Sequence, residues 1–344
     1  MSNGERARRV VTRRDVARAA GVSDAVVTYT LNGGAPVAPA TAARVLAAVA
    51  ELGYRPNQAA RALKSGSART LALVIPDATN PFFAELAHAV EAAAIRRGFA
   101  LYMTTSPSEH PVTLQRFQEF ASRQVDGVLL VPGHSRIDTA ELGAVGIPWA
   151  LLAASTVRAG VASFGVDLHR GAGEATAHLV ADGRRCVGFL GDTAEHDERQ
   201  RGWREALADA GLEPGPAVFA SFDRESGYAA VDAVLAAEPR PDAVFVASDM
   251  IAVGALRRLH ELGVRVPDEL ALVSFDGSWE SDYSWPRLTV VRQPVEVMAE
   301  RAVEHLVKHR RPGVPEAAAG DSEATCFAGT LVVRDSCGPH PGGT

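Results

Sequence analysis

TRRDVARAAGVSDAVVTYTLN, residues 12–32, decides how this chain begins. Asp15 to Ala20 sets Val16, Ala19 and Ala20 on one apolar face of a short helix. Gly21 suits the left-handed conformation that ends a helix. Ser23 is a good N-cap for a second helix. That helix, Asp24 to about Leu31, carries Val26, Val27 and Leu31 inward and leaves Asp24, Ala25, Thr28 and Tyr29 on its other face. Two short helices on a tight glycine turn read as a helix–turn–helix, whose second helix is shaped for the DNA major groove.

The charge distribution agrees. Residues 1–66 hold ten Lys and Arg against four acids, a net +6, while the whole chain carries −6, so the remainder carries −12. A basic head on an acidic body is the asymmetry expected when one segment alone meets phosphate. At 344 residues the chain is expected to form two or three domains. Cys186, Cys326 and Cys337 stand apart and form no CxxC pair, so neither a metal site nor a disulfide framework is expected, nor a cofactor. No apolar run follows the Arg-rich start, so no signal peptide is expected, and none approaches the roughly 20 residues that span a bilayer. A reduced, cytoplasmic protein without a membrane partner is the expectation.

Beyond the head, residues 1–11 read as a disordered arm and 12–56 as the helix–turn–helix domain, closed by a third helix from Pro39 to Leu52. Thr41 is its expected cap, Val45, Leu46 and Val49 its inward residues, and Gly53 its stop. Residues 57–68 read as a short helix and linker, bounded by Pro56 and Ser65-Gly66 and too short to be stable alone. From 69 to 335 short apolar runs alternate with amphipathic helices: LALVIPD, FALYMTTS, VDGVLLVPG and PWALLAAS, then CVGFLGD, PAVFASF, DAVFVASD and LALVSFD, with TLVVR last. Alternation of this kind argues for parallel sheets covered by helices. Two successive sets argue for two similar lobes. Residues 336–344 read as a disordered tail.

Open parallel sheets bind ligands beyond the carboxyl ends of their strands. Here those ends offer Asp77, Asn80, Phe82 and Phe83 after the first strand, then Asp192, Arg199, Phe222, Asp223, Ser248, Asp249 and Asp276 in the second set. Aromatic faces with carboxylates and a guanidinium suit a polyhydroxylated ligand, because rings stack on the C–H face of a sugar while Asp and Arg hold its hydroxyls. Asp249 and Asp167 also read as helix caps. His305 and His309, at i and i+4, read as a solvated helix face. GAGEAT at 171–176 lacks the last glycine of a dinucleotide loop, and no GxSxG, P-loop or HExxH occurs.

The order of parts resembles the lactose/galactose repressor family of bacterial transcription regulators. The resemblance covers about residues 12–335 and rests on DVARAAGVSDAVVTYTLN, ELGYRPNQAARALKSG, DATNPFFAEL, RQRGWREAL, ASDMIAVGAL and VSFDGS in that order. It implies an α/β fold: a helix–turn–helix head and hinge helix, then a two-lobed body like that of periplasmic sugar-binding proteins. It implies that Ser23, Asp24, Ala25, Thr28 and Tyr29 meet DNA, together with Thr12, Asn32 and Tyr54. Residues 57–64 match the hinge helix, with Asn57, Arg61 and Lys64 at the DNA and Leu63 as the wedge in the central minor groove. Asp77, Asn80, Phe82, Phe83, Arg199, Phe222, Ser248 and Asp276 are implied to line an effector pocket. The implied partners are a pseudopalindromic double-stranded operator, a small-molecule effector (a sugar first of all) and a second copy in a homodimer.

The chain departs from the family pattern at two places. Thr28-Tyr29 stands where Ser-Arg is frequent, and tyrosine cannot make arginine's bidentate guanine contact. Ser248 stands where Asn is frequent. The family's optional leucine heptads for tetramers are absent from the tail. The reading is therefore a ligand-responsive DNA-binding repressor without enzymatic activity. The alternatives are a cytosolic sugar-binding protein and a sugar-modifying enzyme on the same scaffold.

Overall fold

The computed structural model describes residues 11–33, 35–55, 66–106, 113–132, 138–154, 160–192, 197–309 and 324–338. The chain divides into two compact units, Met1–Ala68 and Arg69–Thr344. Residues 57–64, with Asn57, Arg61, Leu63 and Lys64, lie outside the described residues, as do 1–10 of the expected arm and 339–344 of the expected tail.

The first unit holds α1 (Arg13–Ala20), α2 (Asp24–Asn32) and α3 (Pro39–Leu52). Thr12 opens α1 with a capping box: its hydroxyl accepts from the Asp15 N–H, and its own N–H donates to Asp15 Oδ2 at 2.9 Å. Gly21, at φ 65, ends the helix by donating to the Ala17 and Arg18 carbonyls. Ser23 accepts from the Val26 N–H and starts α2. Val16, Ala17, Ala20, Val27, Val45 and Ala48 form the core. Ala17 takes the place expected of Ala19, which is exposed, because the buried stripe is centred between Val16 and Ala20. Leu46 is likewise 54% exposed. Thr41 lies inside α3 rather than capping it; Pro39, with its preset φ, opens the helix after Ala38 without a side-chain bond.

The second unit contains two doubly wound lobes. The first comprises β1 (Thr70–Ile75), α4 (Pro81–Arg96), β2 (Ala100–Thr105), α5 (Leu114–Ser122), β3 (Gly127–Leu130), α6 (Thr139–Gly143), β4 (Trp149–Leu152) and β5 (Ala162–Val166). The second comprises α7 (Leu168–Ala181), β6 (Val187–Gly191), α8 (Glu198–Asp209), β7 (Ala217–Phe219), α9 (Arg224–Ala236), β8 (Ala243–Val246), α10 (Asp249–Glu261), β9 (Ala271–Asp276), α11 (Glu280–Tyr283) and β10 (Thr289–Arg292). The chain then returns α12 (Val295–His309) and β11 (Ala324–Phe327) to the first lobe and β12 (Thr330–Val332) to the second.

The strand orders are β11-β5-β4-β3-β1-β2 and β12-β10-β9-β8-β6-β7. Every pairing is parallel except β10 with β12. Both lobes thus have the same winding, with a switch in strand order at β1/β3 and at β6/β8. Crevices for ligands form at such points. Among the described residues the chain crosses between lobes at Asp167, at Gln293-Pro294 and at Ala328-Gly329.

Glycines let the covering helices approach closely. A Cβ on Gly202 would stand 2.1 Å from the His169 carbonyl oxygen, where α8 meets α7, and one on Gly254 would stand 1.9 Å from that of Arg224, where α10 meets α9. Gly171, in the GAGEAT stretch, packs against the Phe275 ring, so that stretch serves helix–sheet contact. Asp167 caps α7 as expected, accepting from the Arg170 N–H at 2.9 Å.

Three further expectations, in the second unit, need correction. PAVFASF is a strand over three residues only, Ala217–Phe219. His305 packs against Phe164 at 5.5 Å between ring centres and is half-buried, not on a solvated face. The expected tail starts too early, because Ser336 and Cys337 are fully buried. Ser336 Oγ donates to the Leu272 carbonyl at 2.6 Å and accepts from the Thr289 N–H at 2.9 Å, which anchors the segment to two strands.

Candidate functional site

In the first unit, the outer face of α2 presents Ala25 and Tyr29, with Tyr29 42% exposed. Thr28 is partly engaged: its hydroxyl donates to the Asp24 carbonyl at 2.9 Å and accepts from Arg13 Nη1 at 3.1 Å. Arg13 and Arg14 also lie 3.9 and 3.7 Å from the Asp24 carboxylate. Two arginines of α1 are thereby drawn to the start of α2, where phosphate contacts are expected. Ser23 and Asn32 are exposed at the two ends of α2. The Thr12 hydroxyl is occupied in its capping box, and Tyr54 packs against the head's core.

In the second lobe, the strand ends converge. Arg199 lies in the first turn of α8 and is held on three sides. Its Nε and Nη2 donate to the two Asp197 oxygens, each at 3.1 Å, and Nη1 donates to the Ala247 carbonyl at 2.9 Å. The guanidinium carbon lies 4.9 Å from the centre of the Phe222 ring, a cation–π contact, and 5.9 Å from that of Phe275. Asp276 ends β9 with φ 108, a conformation that non-glycine residues rarely hold and that clusters at functional sites. Its carboxylate accepts from Gln293 Nε2 at 2.9 Å, from the Ser248 side chain and from the Asp249 N–H. Burial raises its pKa, and the Arg199 charge opposes that rise.

Asp249 lies one residue inside α10 and is not its cap. Ser248, extended at φ −159, supplies the capping oxygen to the Met250 N–H. The Asp249 carboxylate turns inward instead. It accepts from Ser274 Oγ, and from the Ser278 N–H at 2.7 Å and Oγ at 2.8 Å. Burial first, then the Asp276 charge, raises its pKa. Two enclosed carboxylates thus share one site, braced by serines, a glutamine and one guanidinium.

The first lobe's set is assembled separately, in the turn after β1. Asp77 accepts from the Thr79 N–H and hydroxyl, both at 2.8 Å. Asn80 caps α4 through the Phe82 N–H at 3.0 Å. Phe82 and Phe83 meet edge to face at 5.3 Å. Phe82, 5% exposed, belongs to the lobe's core, while Phe83 stays half-buried beside it. Of the two rings, Phe83 is therefore the one left accessible.

The structure also brings in residues that sequence reasoning passed over: Asp197, Gln293 and Glu85. Asp197 is visible only as the partner of Arg199, and Gln293 only once β9 and β10 are adjacent. Glu85 of α4 accepts from the Trp279 N–H at 2.5 Å, a bond between the lobes three residues beyond Asp276. Burial raises the Glu85 pKa, and this backbone bond lowers it.

Comparison with known proteins matches these parts in order. Residues 12–57 match the bacterial regulatory proteins of the lacI family, and residues 176–337 match the periplasmic binding protein-like domain. Catabolite control protein A of Priestia megaterium is 31% identical over 87% of this chain and 92% of that protein. The ribose operon repressor of Haemophilus influenzae is 31% identical over 87% and 92%. A structure of the transcriptional regulator CelR in complex with cellobiose superposes with a TM-score of 0.68 at 30% identity, covering 95% of this chain and 99% of that one.

Proposed function

This chain belongs to the lacI family of bacterial regulatory proteins, and from that premise we propose that it is a homodimeric, non-enzymatic repressor in the cytoplasm, released from or fixed to its operator by a sugar bound between the lobes. It is a DNA-binding transcriptional regulator with a helix–turn–helix head. The observation that carries the sugar reading is the Arg199–Phe222–Asp276 cluster. An aromatic face, a guanidinium and a carboxylate at one strand-end crevice are the chemistry that holds a polyhydroxylated ring. Arg199 has three of its five N–H donors engaged, which leaves two for ligand hydroxyls. Phe83, Asp77 and Asn80 stand at the matching crevice of the first lobe and are proposed to close over the ligand.

On the DNA side, Ala25 and Tyr29 of α2 are proposed to read base edges, with Ser23, Asn32, Thr28 and Arg13 at the backbone. Residues 57–64 are proposed as the hinge, with Leu63 wedged at the centre of a palindrome and Asn57, Arg61 and Lys64 beside it. The second copy is proposed to cover Trp279, Tyr283 and Trp285, which are 52, 83 and 87% exposed on the second lobe. Three large aromatic residues exposed in one short segment mark an interaction surface.

Selection of the purified protein on random DNA tests the reading. The expected product is a pseudopalindrome with a pyrimidine–purine step at its centre. A screen of pentoses, hexoses and disaccharides against that probe should then find one that changes the affinity. A selected sequence without two-fold symmetry would refute the dimer, and turnover of a sugar would refute the regulator without catalysis.

A further inference from the structure

We propose that the far end of the second lobe is a binding site for a divalent transition-metal ion, Zn²⁺ by preference, held by His178, Asp182 and Cys337. His178 and Asp182 stand at i and i+4 where α7 ends, so they share one side of the helix. Cys337 arrives from the segment after β12 and is fully buried. His178 Nε2 lies 3.3 Å from Cys337 Sγ and 3.3 Å from Asp182 Oδ2, and the three donor atoms all lie within 4.8 Å of one another.

These separations fit a tetrahedral ion. Bonds of about 2.3 Å to sulfur and about 2.0–2.1 Å to nitrogen or oxygen place a sulfur about 3.5–3.6 Å from its neighbouring donor atoms, and nitrogen about 3.3–3.4 Å from oxygen. Both distances to the ring nitrogen are near those values, and the Asp182 oxygen lies within 4.8 Å of the sulfur. A sulfur and a carboxylate oxygen both converge on the single ring nitrogen.

The donor set selects the class of ion. A thiolate and an imidazole favour Zn²⁺ or a similar metal, whereas Mg²⁺ and Ca²⁺ require oxygen donors. Three protein ligands leave the fourth position to water. Binding forms a sulfur–metal bond and releases the thiol proton to solvent.

The place of the cluster indicates its role. Thr289, whose hydroxyl lies 2.8 Å from Cys337 Sγ, begins β10, while Asp276 stands beside the other end of that strand. The 14 residues of α7 span about 21 Å. The site is therefore separate from the effector cleft, and the ion would clasp the C-terminal segment to α7.

Full-length protein stripped with chelator and then titrated with Co²⁺ tests this. The expected result is one equivalent bound, with a thiolate-to-cobalt charge-transfer band in the near ultraviolet, displaced by Zn²⁺. Cys337→Ser should abolish the band, and Asp182→Asn, a substitution at a partly exposed side chain, should weaken binding at least about 10-fold. At equal concentration, Zn²⁺ should raise the melting midpoint of the wild type more than that of Asp182→Asn. Absence of the band in the wild type would overturn the proposal. So would an unchanged band in Cys337→Ser, since Cys186 or Cys326 would then be the ligand. Should Cys337→Ser fail to fold, unaltered Co²⁺ affinity in Asp182→Asn overturns it on its own.

Discussion

Arg199→Gln removes a cation from a pair that is nearly enclosed, with 14% of the Arg199 side chain and 4% of the Asp197 side chain exposed. Asp197 would keep only the bond from the backbone N–H of residue 199, at 2.9 Å. Three charge-assisted bonds to its oxygens, two of them from the shared Nε–H, and one to the Ala247 carbonyl would be lost. Taking one partner from a buried pair costs about 3–5 kcal/mol, because the other charge stays buried without compensation. Asp276 would also lose the charge that opposes its burial. For a body of this size each kcal/mol moves the melting midpoint by about 2–3 °C, so a fall of about 6–15 °C is expected. Asp197→Asn should cost a similar amount. The double variant should cost less than the sum of the two, with a coupling energy above about 1 kcal/mol. Scanning calorimetry on the four proteins measures this, and fluorescence anisotropy on an operator fragment should show the head still binding. Loss of less than about 1 kcal/mol in either single variant, or strict additivity in the double, would refute the buried-pair reasoning.

Asp249 and Asp276 both have raised pKa values, so the folded state holds their protons more tightly than the unfolded chain does. Their contribution to stability is complete below the ordinary carboxylate range, about pH 4, and is lost as pH rises through the raised values towards neutrality. The melting midpoint should therefore fall across that window, and Asp249→Asn should flatten the slope; an unchanged slope would exclude the pair as its source. Gly254→Ala should cost about 1–3 kcal/mol, seen in a circular dichroism melt, because its Cβ meets a backbone carbonyl that cannot rotate away. Glu85→Ala should speed hydrogen exchange at the Trp279 amide at least about 10-fold, since a bond to a charged acceptor worth about 1.5–3 kcal/mol is removed; unaltered exchange would mean the lobes do not rely on it. Tyr29→Ala should weaken specific operator binding by about 10–100-fold and leave the salt dependence unchanged, because no charge is removed. A parallel loss on non-specific DNA would argue against base reading by Tyr29.

The head was legible because its signals are local. Gly21 and Ser23 act through their own backbone and the next three residues, and both do what their types predict. The second lobe was legible at strand ends, where Arg199, Phe222, Ser248 and Asp276 follow apolar runs and meet in the structure. At residues 248–249 a serine and an aspartate are equally good caps, and only the long-range pull of Ser274 and Ser278 decides that Asp249 turns inward. Ser336 and Cys337 lie beside a run rich in Gly and Pro, so composition suggested disorder; hydrogen bonds to Leu272 and Thr289, some fifty residues away or more, outweigh that local tendency. The pairing of His178 with Cys337 across 159 positions has no local trace at all.

In the proposed reading, Asp276 connects occupancy of the cleft to the lobe arrangement. Its carbonyl accepts from the Gln293 N–H at 3.0 Å, and its carboxylate accepts from Gln293 Nε2 at 2.9 Å. Gln293 lies on one of the crossings between lobes, so the carboxylate and the crossing are bound to each other twice. A carboxylate offers about four lone-pair sites. Gln293 takes one, and the Ser248 side chain and Asp249 backbone also favour the charged form, so a ligand hydroxyl can be accepted without breaking the Gln293 bond. A hydroxyl added there would stiffen a residue already held at φ 108, at a conformational cost of about 1–3 kcal/mol. The same loop carries the Trp279 N–H to Glu85 of the other lobe. A ligand in the cleft, as proposed above, would act on the lobe arrangement through these two connections and through any contact it makes with the first lobe itself. A sugar whose affinity is the same with the Glu85–Trp279 bond made or broken, and which touches one lobe alone, would occupy the cleft and shift nothing.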